Sequence, residues 1–205
     1  MNGQTPPQRR RLTLRDLSLM VVAAALAMAG FRFAMTRVFP GWLDYSRWPV
    51  WISQPSLRFL LYMLSDVTAP LIPLAGAWTG LLLILRMFPP RPSWRRVWRQ
   101  PGMAACLAAL LAMLWVGLAV SLIYAGLLLF PAGQFDELWF IQNLFIGHVF
   151  PLVGLAVASI WSQLLLSRRW TRPADWIDRA GRGVGILWIV IGLAWTLRSY
   201  ELLFR

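Results

Sequence analysis

The sequence contains no lysine, one cysteine and one histidine in 205 residues. A single cysteine, Cys106, excludes an intrachain disulfide and any site built on several cysteines. A single histidine, His148, excludes bis-histidine haem ligation and a histidine-rich zinc site within one chain. The sequence also lacks the patterns of serine hydrolases, zinc proteases, dithiol redox proteins and P-loop nucleotide binders. We therefore predict no metal, no cofactor and no catalytic residues.

Acidic residues are scarce as well. Eight of them stand against twenty arginines, and the formal net charge is +12. Such a charge can indicate nucleic acid as a partner. Because these arginines cluster beside hydrophobic stretches, they are typical of residues that fix membrane topology and contact lipid headgroups. We therefore expect anionic lipid headgroups as partners and no nucleic acid.

Hydrophobic residues make up 59% of the chain, and 13 residues are tryptophan. Soluble domains are less apolar than this, and an apolar stretch of about 20 residues is long enough to cross a bilayer. The pattern predicts an all-α membrane protein, a single bundle of five transmembrane helices over 17–205 that follows a basic cytoplasmic arm at 1–16. The predicted spans are 17–39, 59–86, 103–130, 139–166 and 184–203.

The loops between these stretches alternate between arginine-rich and arginine-poor. By the positive-inside rule, the alternation places the N-terminus inside and the C-terminus outside, as in a multi-pass protein of a bacterial cytoplasmic (inner) membrane. A cleaved signal peptide ending near Ala27-Met28-Ala29 is the competing interpretation of the first stretch. Both interpretations leave the following segment outside the cytoplasm.

The segment at 11–17, RLTLRDL, resembles the R-F-T-L-R-D-L start of many uncharacterised planctomycete multi-pass membrane proteins. The resemblance covers about the first tenth of the chain. It implies a bacterial inner membrane and no particular activity.

An internal repeat is visible at a constant offset. Residues 70–77 (PLIPLAGA) match 151–158 (PLVGLAVA), which aligns Pro70 with Pro151. The repeat predicts two parallel hairpins, spans one and two duplicated as spans three and four, followed by a fifth helix. Chance similarity between hydrophobic spans is the alternative.

Five polar residues are predicted at a similar depth in the outer half of the bilayer: Arg32, Asp66, Tyr124, Asn143 and His148. A short carboxylate such as Asp66 is costly within an apolar span unless it is paired, solvated or protonated. These residues are candidates for a ligand or ion pocket. The alternative is that Arg32 extends to the headgroups while Asp66 and His148 satisfy each other or backbone carbonyls.

Three prolines accompany these residues as predicted helix kinks: Pro70, Pro73 and Pro151. Proline lacks an N–H, so each one leaves the carbonyl four residues earlier without its intrahelical partner. The freed carbonyls of Asp66 and Gly147 would add acceptors to the pocket.

Glycines suggest where helices pack. We expect Gly76-x-x-x-Gly80 and Gly117 to lie on close-packing faces inside the bundle. Gly181, Gly183 and Gly185 resemble a phosphate-binding loop only superficially, and we interpret them as a flexible start of the fifth span.

These features favour a non-enzymatic binding, sensing or accessory subunit, with a membrane-protein partner or a second copy of the chain as candidate associates. A small solute or proton-linked transporter is the alternative. A lipid-modifying membrane enzyme is a third interpretation, which the scarcity of nucleophile–base pairs disfavours.

Overall fold

The computed structural model describes residues 13–33, 64, 68, 71–88, 97–129, 137–170 and 175–203, and for 124, 126–129, 137–148 and 200–203 it describes only the backbone. The described residues form five α-helices and no strand, which confirms the all-helical prediction. The helices are α1 (Leu14–Phe33), α2 (Leu71–Met87), α3 (Pro101–Leu129), α4 (Glu137–Leu166) and α5 (Trp176–Leu203).

Four of these helices, α1, α3, α4 and α5, are long and apolar enough to cross a membrane. The described part of α2 has 17 residues and is shorter than a full span. Several apolar helices of this length identify a membrane protein. The full extent of the second span and the orientation in the bilayer stay predictions.

Helix α5 lies against three of its neighbours, α2, α3 and α4, while α1 packs mainly on α2. Helices α1 and α2 are antiparallel, since Gly30 lies beside Pro73 at one end and Arg15 lies over the ring of Phe88 at the other. We call the end with Arg15 and Phe88 the inner end and the end with Gly30 and Pro73 the outer end, following the predicted orientation.

Large apolar side chains cover the outside of the bundle. The exposed ones include Leu114, Trp115 and Leu118 on α3 and Leu155 on α4. In water such a surface would drive aggregation, whereas in a bilayer it contacts acyl chains. The buried side chains shared by α2 to α5 include Leu82, Leu85, Met103, Val153, Val157, Ile177, Trp188 and Ile191.

The start of α1 is fixed by a capping box. The Thr13 N–H donates to the carboxylate of Asp16 at 3.1 Å, and the Asp16 N–H donates to the hydroxyl of Thr13 at 3.3 Å. This reciprocal pair satisfies backbone donors that the first turn leaves open. The T-L-R-D sequence therefore has a structural role at the beginning of the helix.

The fifth helix begins earlier than predicted, at Trp176 instead of 184. Arg179 and Arg182, which we assigned to a loop, lie in its first turns. The interpretation of Gly181, Gly183 and Gly185 as a flexible segment is wrong, because all three are helical. Two of them are buried against neighbouring helices.

Two glycine pairs bring helix backbones into contact. A Cβ atom on Gly181 would lie 2.7 Å from the carbonyl carbon of Gly102, so α3 and α5 touch there. A Cβ atom on Gly192 would lie 2.8 Å from the Cα of Gly154, so α4 and α5 touch as well. Only glycine permits such approaches.

The glycines that we expected on internal close-packing faces behave differently. A Cβ atom on Gly76, Gly80 or Gly117 would have no atom of the described structure within 4 Å. The prediction that these positions pack closely inside the bundle is therefore wrong for the described helices. The glycines that bring helix backbones into contact lie on α4 and α5 and at the start of α3.

Candidate functional site

The structure describes part of the predicted outer pocket. Arg32 lies in the last turn of α1 and is exposed. Tyr124 lies on α3, and Asn143 and His148 lie on α4, but their side chains are outside the description. Asp66 is outside the described residues, so its pairing stays a prediction.

The structure describes two of the three prolines that we predicted as helix kinks. Pro73 is the third residue of α2, and Pro151 lies inside α4, which continues as a helix on both sides of it. Pro70 lies outside the described residues.

The helix contacts relate the depths of several predicted residues. Asn143 is as many residues beyond Gly154 on α4 as Leu203 is beyond Gly192 on α5, roughly 16 Å along each helix. Tyr124 on α3 lies as many residues beyond Gly102 as Leu203 lies beyond Gly181 on α5, roughly 33 Å along each helix. The backbones of Asn143 and Tyr124 therefore stand at a similar level at the outer end.

A buried tryptophan lies about 12 Å below that level, in the outer half of α5. Trp195 of α5 is 3% exposed, and its ring packs against Phe150 of α4 with centroids 5.6 Å apart. Its Nε1–H has no hydrogen-bond partner among the described residues. The guanidinium of Arg198, one turn further along α5, lies 5.2 Å from the ring centroid. An unused donor and a nearby cation are thus present at the outer end.

Two other tryptophans of the described core, buried Trp188 and half-buried Trp161, use their donors. Trp188 Nε1 donates to the Thr79 hydroxyl at 2.9 Å and joins α5 to α2. Trp161 Nε1 donates to the Pro101 carbonyl at 2.9 Å and joins α4 to α3. Trp176, at the inner end, shares with Trp195 an indole nitrogen without a described partner.

A charge network occupies the inner end. Arg86, in the last turn of α2, is 8% exposed, and its Nη1 lies 2.5 Å from Oδ2 of Asp175. Its Nη2 donates to the side-chain oxygen of Gln100. Asp175 also caps α5, since its Oδ1 accepts from the Asp178 N–H at 3.0 Å. One aspartate thereby starts α5 and holds α2 against it.

The second aspartate of this network caps a different helix. Asp178 is fully buried, and its Oδ1 accepts from the backbone N–H of Gly102 at 2.8 Å. Gly102 is the second residue of α3, where backbone donors lack intrahelical partners. The other carboxylate oxygen accepts from Arg182 Nη2 at 3.2 Å. Asp178 thus fixes the start of α3 from within α5.

Sequence reasoning missed this network. We placed Arg86 at the end of the second span, where a basic loop begins, and Arg182 in the loop before the fifth span, because arginines at span ends usually face solvent or headgroups. The usable signal was the presence of Asp175 and Asp178 within a stretch otherwise rich in arginine. Paired acids of this kind at a span boundary indicate ion pairs between helices.

The two ends of the bundle differ chemically. At the inner end, the carboxylates of Asp175 and Asp178 are paired and hydrogen-bonded within the protein, which suits a structural clamp. In the outer half of α5, the Trp195 Nε1–H has no described partner, as is also true of Trp176 Nε1 and Arg86 Nε at the inner end. Within the described residues, no group of three or more histidine, cysteine or acidic side chains is arranged to hold a metal ion.

Comparisons with known proteins give no family. No family model matches the sequence, and no curated protein or solved structure matches it.

Proposed function

We propose that the chain is a non-enzymatic binding, sensing or accessory subunit of a bacterial cytoplasmic membrane. It holds a partner group or a small ligand in a polar pocket in the outer half of the bilayer. The observation that carries the proposal is the buried Nε1–H of Trp195, which has no partner among the described residues.

The energetic argument is direct. A buried donor left unpaired costs about 1–3 kcal/mol, and the cost is not recovered inside an apolar span. Thr79 supplies the acceptor for the indole N–H of Trp188. Of the predicted polar residues, His148 lies nearest to Trp195 in depth, about 4 to 5 Å further out along the bundle. An acceptor from a ligand or partner at this level would pair with the Trp195 N–H.

The surroundings define the kind of group that fits. Arg198 places a cation over one part of the Trp195 ring, and Phe150 covers another part. An acceptor with negative charge, such as a carboxylate or phosphate, would interact with both the N–H and the guanidinium. The predicted residue His148 would add a polar contact from α4, and Tyr124 and Asn143 would lie about 12 Å further out than Trp195, nearer the mouth of the pocket.

Photo-cross-linking tests the proposal. Benzoylphenylalanine replaces Phe150, which contacts Trp195, and in a matched protein it replaces Leu155, which is exposed on the same helix. Irradiation of native membranes is expected to give a discrete adduct at position 150 that is absent at position 155. The adduct should weaken when Trp195→Phe removes the N–H and keeps an aromatic ring. Identical lipid adducts at both positions would contradict a pocket.

A transport role is favoured by one observation. The pair between Arg86 and Asp175 joins α2 to the start of α5 at the inner end, where a transporter would close its inner side. Protein reconstituted into vesicles with an internal pH dye would test this. Proton flux that depends on the protein and disappears in Asp66→Asn would support transport over a binding role alone.

A further inference from the structure

We infer that the inner end carries a specific site for the headgroup of an anionic phospholipid, formed where α4 ends and α5 begins. The site consists of Arg168, Arg169, Trp170 and Arg179, with Arg182 beneath. It is separate from the outer pocket and independent of the proposed function.

The first observation is the backbone at the end of α4. The Arg168 N–H donates to the Leu165 carbonyl at 3.0 Å, and the Arg169 N–H donates to the Leu164 carbonyl at 2.9 Å. These two bonds form a Schellman motif, whose left-handed residue is usually glycine. Here that residue is Arg168, with a φ of 53°. An arginine in this conformation is strained, and such strain concentrates at functional positions.

The second observation is charge without compensation. The two nearby acids are occupied, Asp175 by Arg86 and Asp178 by Arg182 and the N–H of Gly102. No ion pair to a described residue is found for the exposed residues Arg168, Arg169 and Arg179. The chain therefore presents three cations at one end of the bundle with no described acid to neutralise them.

The third observation is an aromatic ring at the same junction of α4 and α5. The ring of Trp170 meets that of Trp161 edge to face, with centroids 5.7 Å apart, and Trp161 is itself bonded to Pro101. The guanidinium of Arg182 lies 5.2 Å from the Trp170 centroid. Trp170 is thus held on the α4–α5 junction next to the arginines. Tryptophan beside arginine at a span end is the arrangement that membrane interfaces favour.

Phosphodiester chemistry fits this surface. Guanidinium groups bind phosphate oxygens in pairs, and an indole ring at the headgroup level contacts the glycerol and upper acyl region. The exposed apolar side chains Leu165 and Leu166 lie directly below the motif, where acyl chains would pack. A phospholipid would contact both the arginines and these apolar side chains, whereas a free phosphate ion would contact only the arginines.

The test uses the purified full-length protein in neutral detergent, titrated with phosphatidylglycerol and observed by native mass spectrometry. Removing one arginine near a membrane surface is expected to weaken anionic lipid binding about five-fold. We expect this loss for Arg168→Gly, Arg169→Gln and Arg179→Gln, and no change for Arg15→Gln. Arg15 lies at the same end, on α1, and stacks on Phe88, so its loss removes equal charge outside the site.

Arg168→Gly separates an effect on lipid binding from an effect on the stability of the fold. Glycine relieves the left-handed strain, so the melting temperature should rise while phosphatidylglycerol binding falls. A merely structural Arg168 would leave lipid binding unchanged. Equal weakening in Arg15→Gln, equal binding of phosphatidylcholine, or displacement of the lipid by millimolar inorganic phosphate would each overturn the inference.

Discussion

Gly102 and Gly181 meet backbone to backbone at the inner end of the bundle. A Cβ atom on Gly102 would lie 2.0 Å from the carbonyl oxygen of Asp178, one turn before Gly181. The same close approach lets the carboxylate of Asp178 reach the N–H of Gly102. The glycine contact and the cap on α3 therefore depend on each other.

Alanine at either glycine should destabilise the bundle. Overpacking a tight contact costs about 1–3 kcal/mol, and loss of the Asp178 cap would add roughly 1 kcal/mol. We expect Gly102→Ala and Gly181→Ala to lower the SDS concentration at the unfolding midpoint, followed by circular dichroism. Gly183→Ala is the matched control, because its Cβ would meet open space on the same helix. Equal effects at all three positions would mean that helix contact is not responsible.

Removing one partner of the ion pair between Arg86 and Asp175 should lower the free energy of unfolding strongly, because both side chains are nearly buried. Arg86→Gln leaves a buried carboxylate unpaired and is expected to cost about 3–5 kcal/mol of unfolding free energy. Asp175→Asn keeps a residue that can cap α5, so its change in unfolding free energy reports the loss of the negative charge. In a double-mutant cycle the combined variant should lose less than the sum of the two. Strict additivity would show that the pair is not coupled.

The hydrogen bond from Trp188 to Thr79 offers a simpler test. Thr79→Val keeps the shape of the side chain and leaves the indole N–H without its acceptor, at a cost of about 1–3 kcal/mol. Thr79→Ser retains the hydroxyl and should cost less. Unfolding in detergent measures both. If serine and valine destabilise equally, packing of the lost methyl group and not the hydrogen bond explains the effect.

The orientation can be measured by cysteine labelling. Cys106 is fully buried, so it should resist an impermeant maleimide, and Cys106→Ala provides the background. Cysteines at Asp44 and Asp136 should label from outside intact cells, and cysteines at Arg95 and Arg172 should not. Outside labelling at position 95 would reverse the predicted topology.

The general fold could be predicted because the length of each apolar stretch and the distribution of arginines between loops can be read from neighbouring residues alone. The ends of α3 and α4 fall within two residues of the predicted spans. The start of α5 could not be predicted in this way. Asp178 pairs with Arg182 inside α5, and Asp175 caps the helix while it pairs with Arg86. This arrangement depends on partners in α2 and α3, which the local sequence does not show.

The predicted outer pocket marks a different limit of sequence reasoning. Polar residues inside apolar stretches identify a depth, but not which side of a helix faces the bundle. Trp195 escaped notice because tryptophans are abundant in this chain and an unpaired indole donor is invisible in a sequence. The duplication that aligns Pro70 with Pro151 stays a prediction. Superposition of complete hairpins about an axis along the membrane normal would test it.

The central position of α5 has a consequence for biosynthesis. The partner of Arg86 lies 89 residues later in the chain. At common translation speeds, roughly 5 to 20 s pass between synthesis of the two. During that interval the Arg86 side chain must be accommodated by water, headgroups or the insertion machinery. Helix α3 likewise lacks its Asp178 cap until α5 emerges. The bundle therefore closes only when its last helix is inserted, and a ribosome stalled before residue 175 would leave a chain that quality-control proteases can recognise.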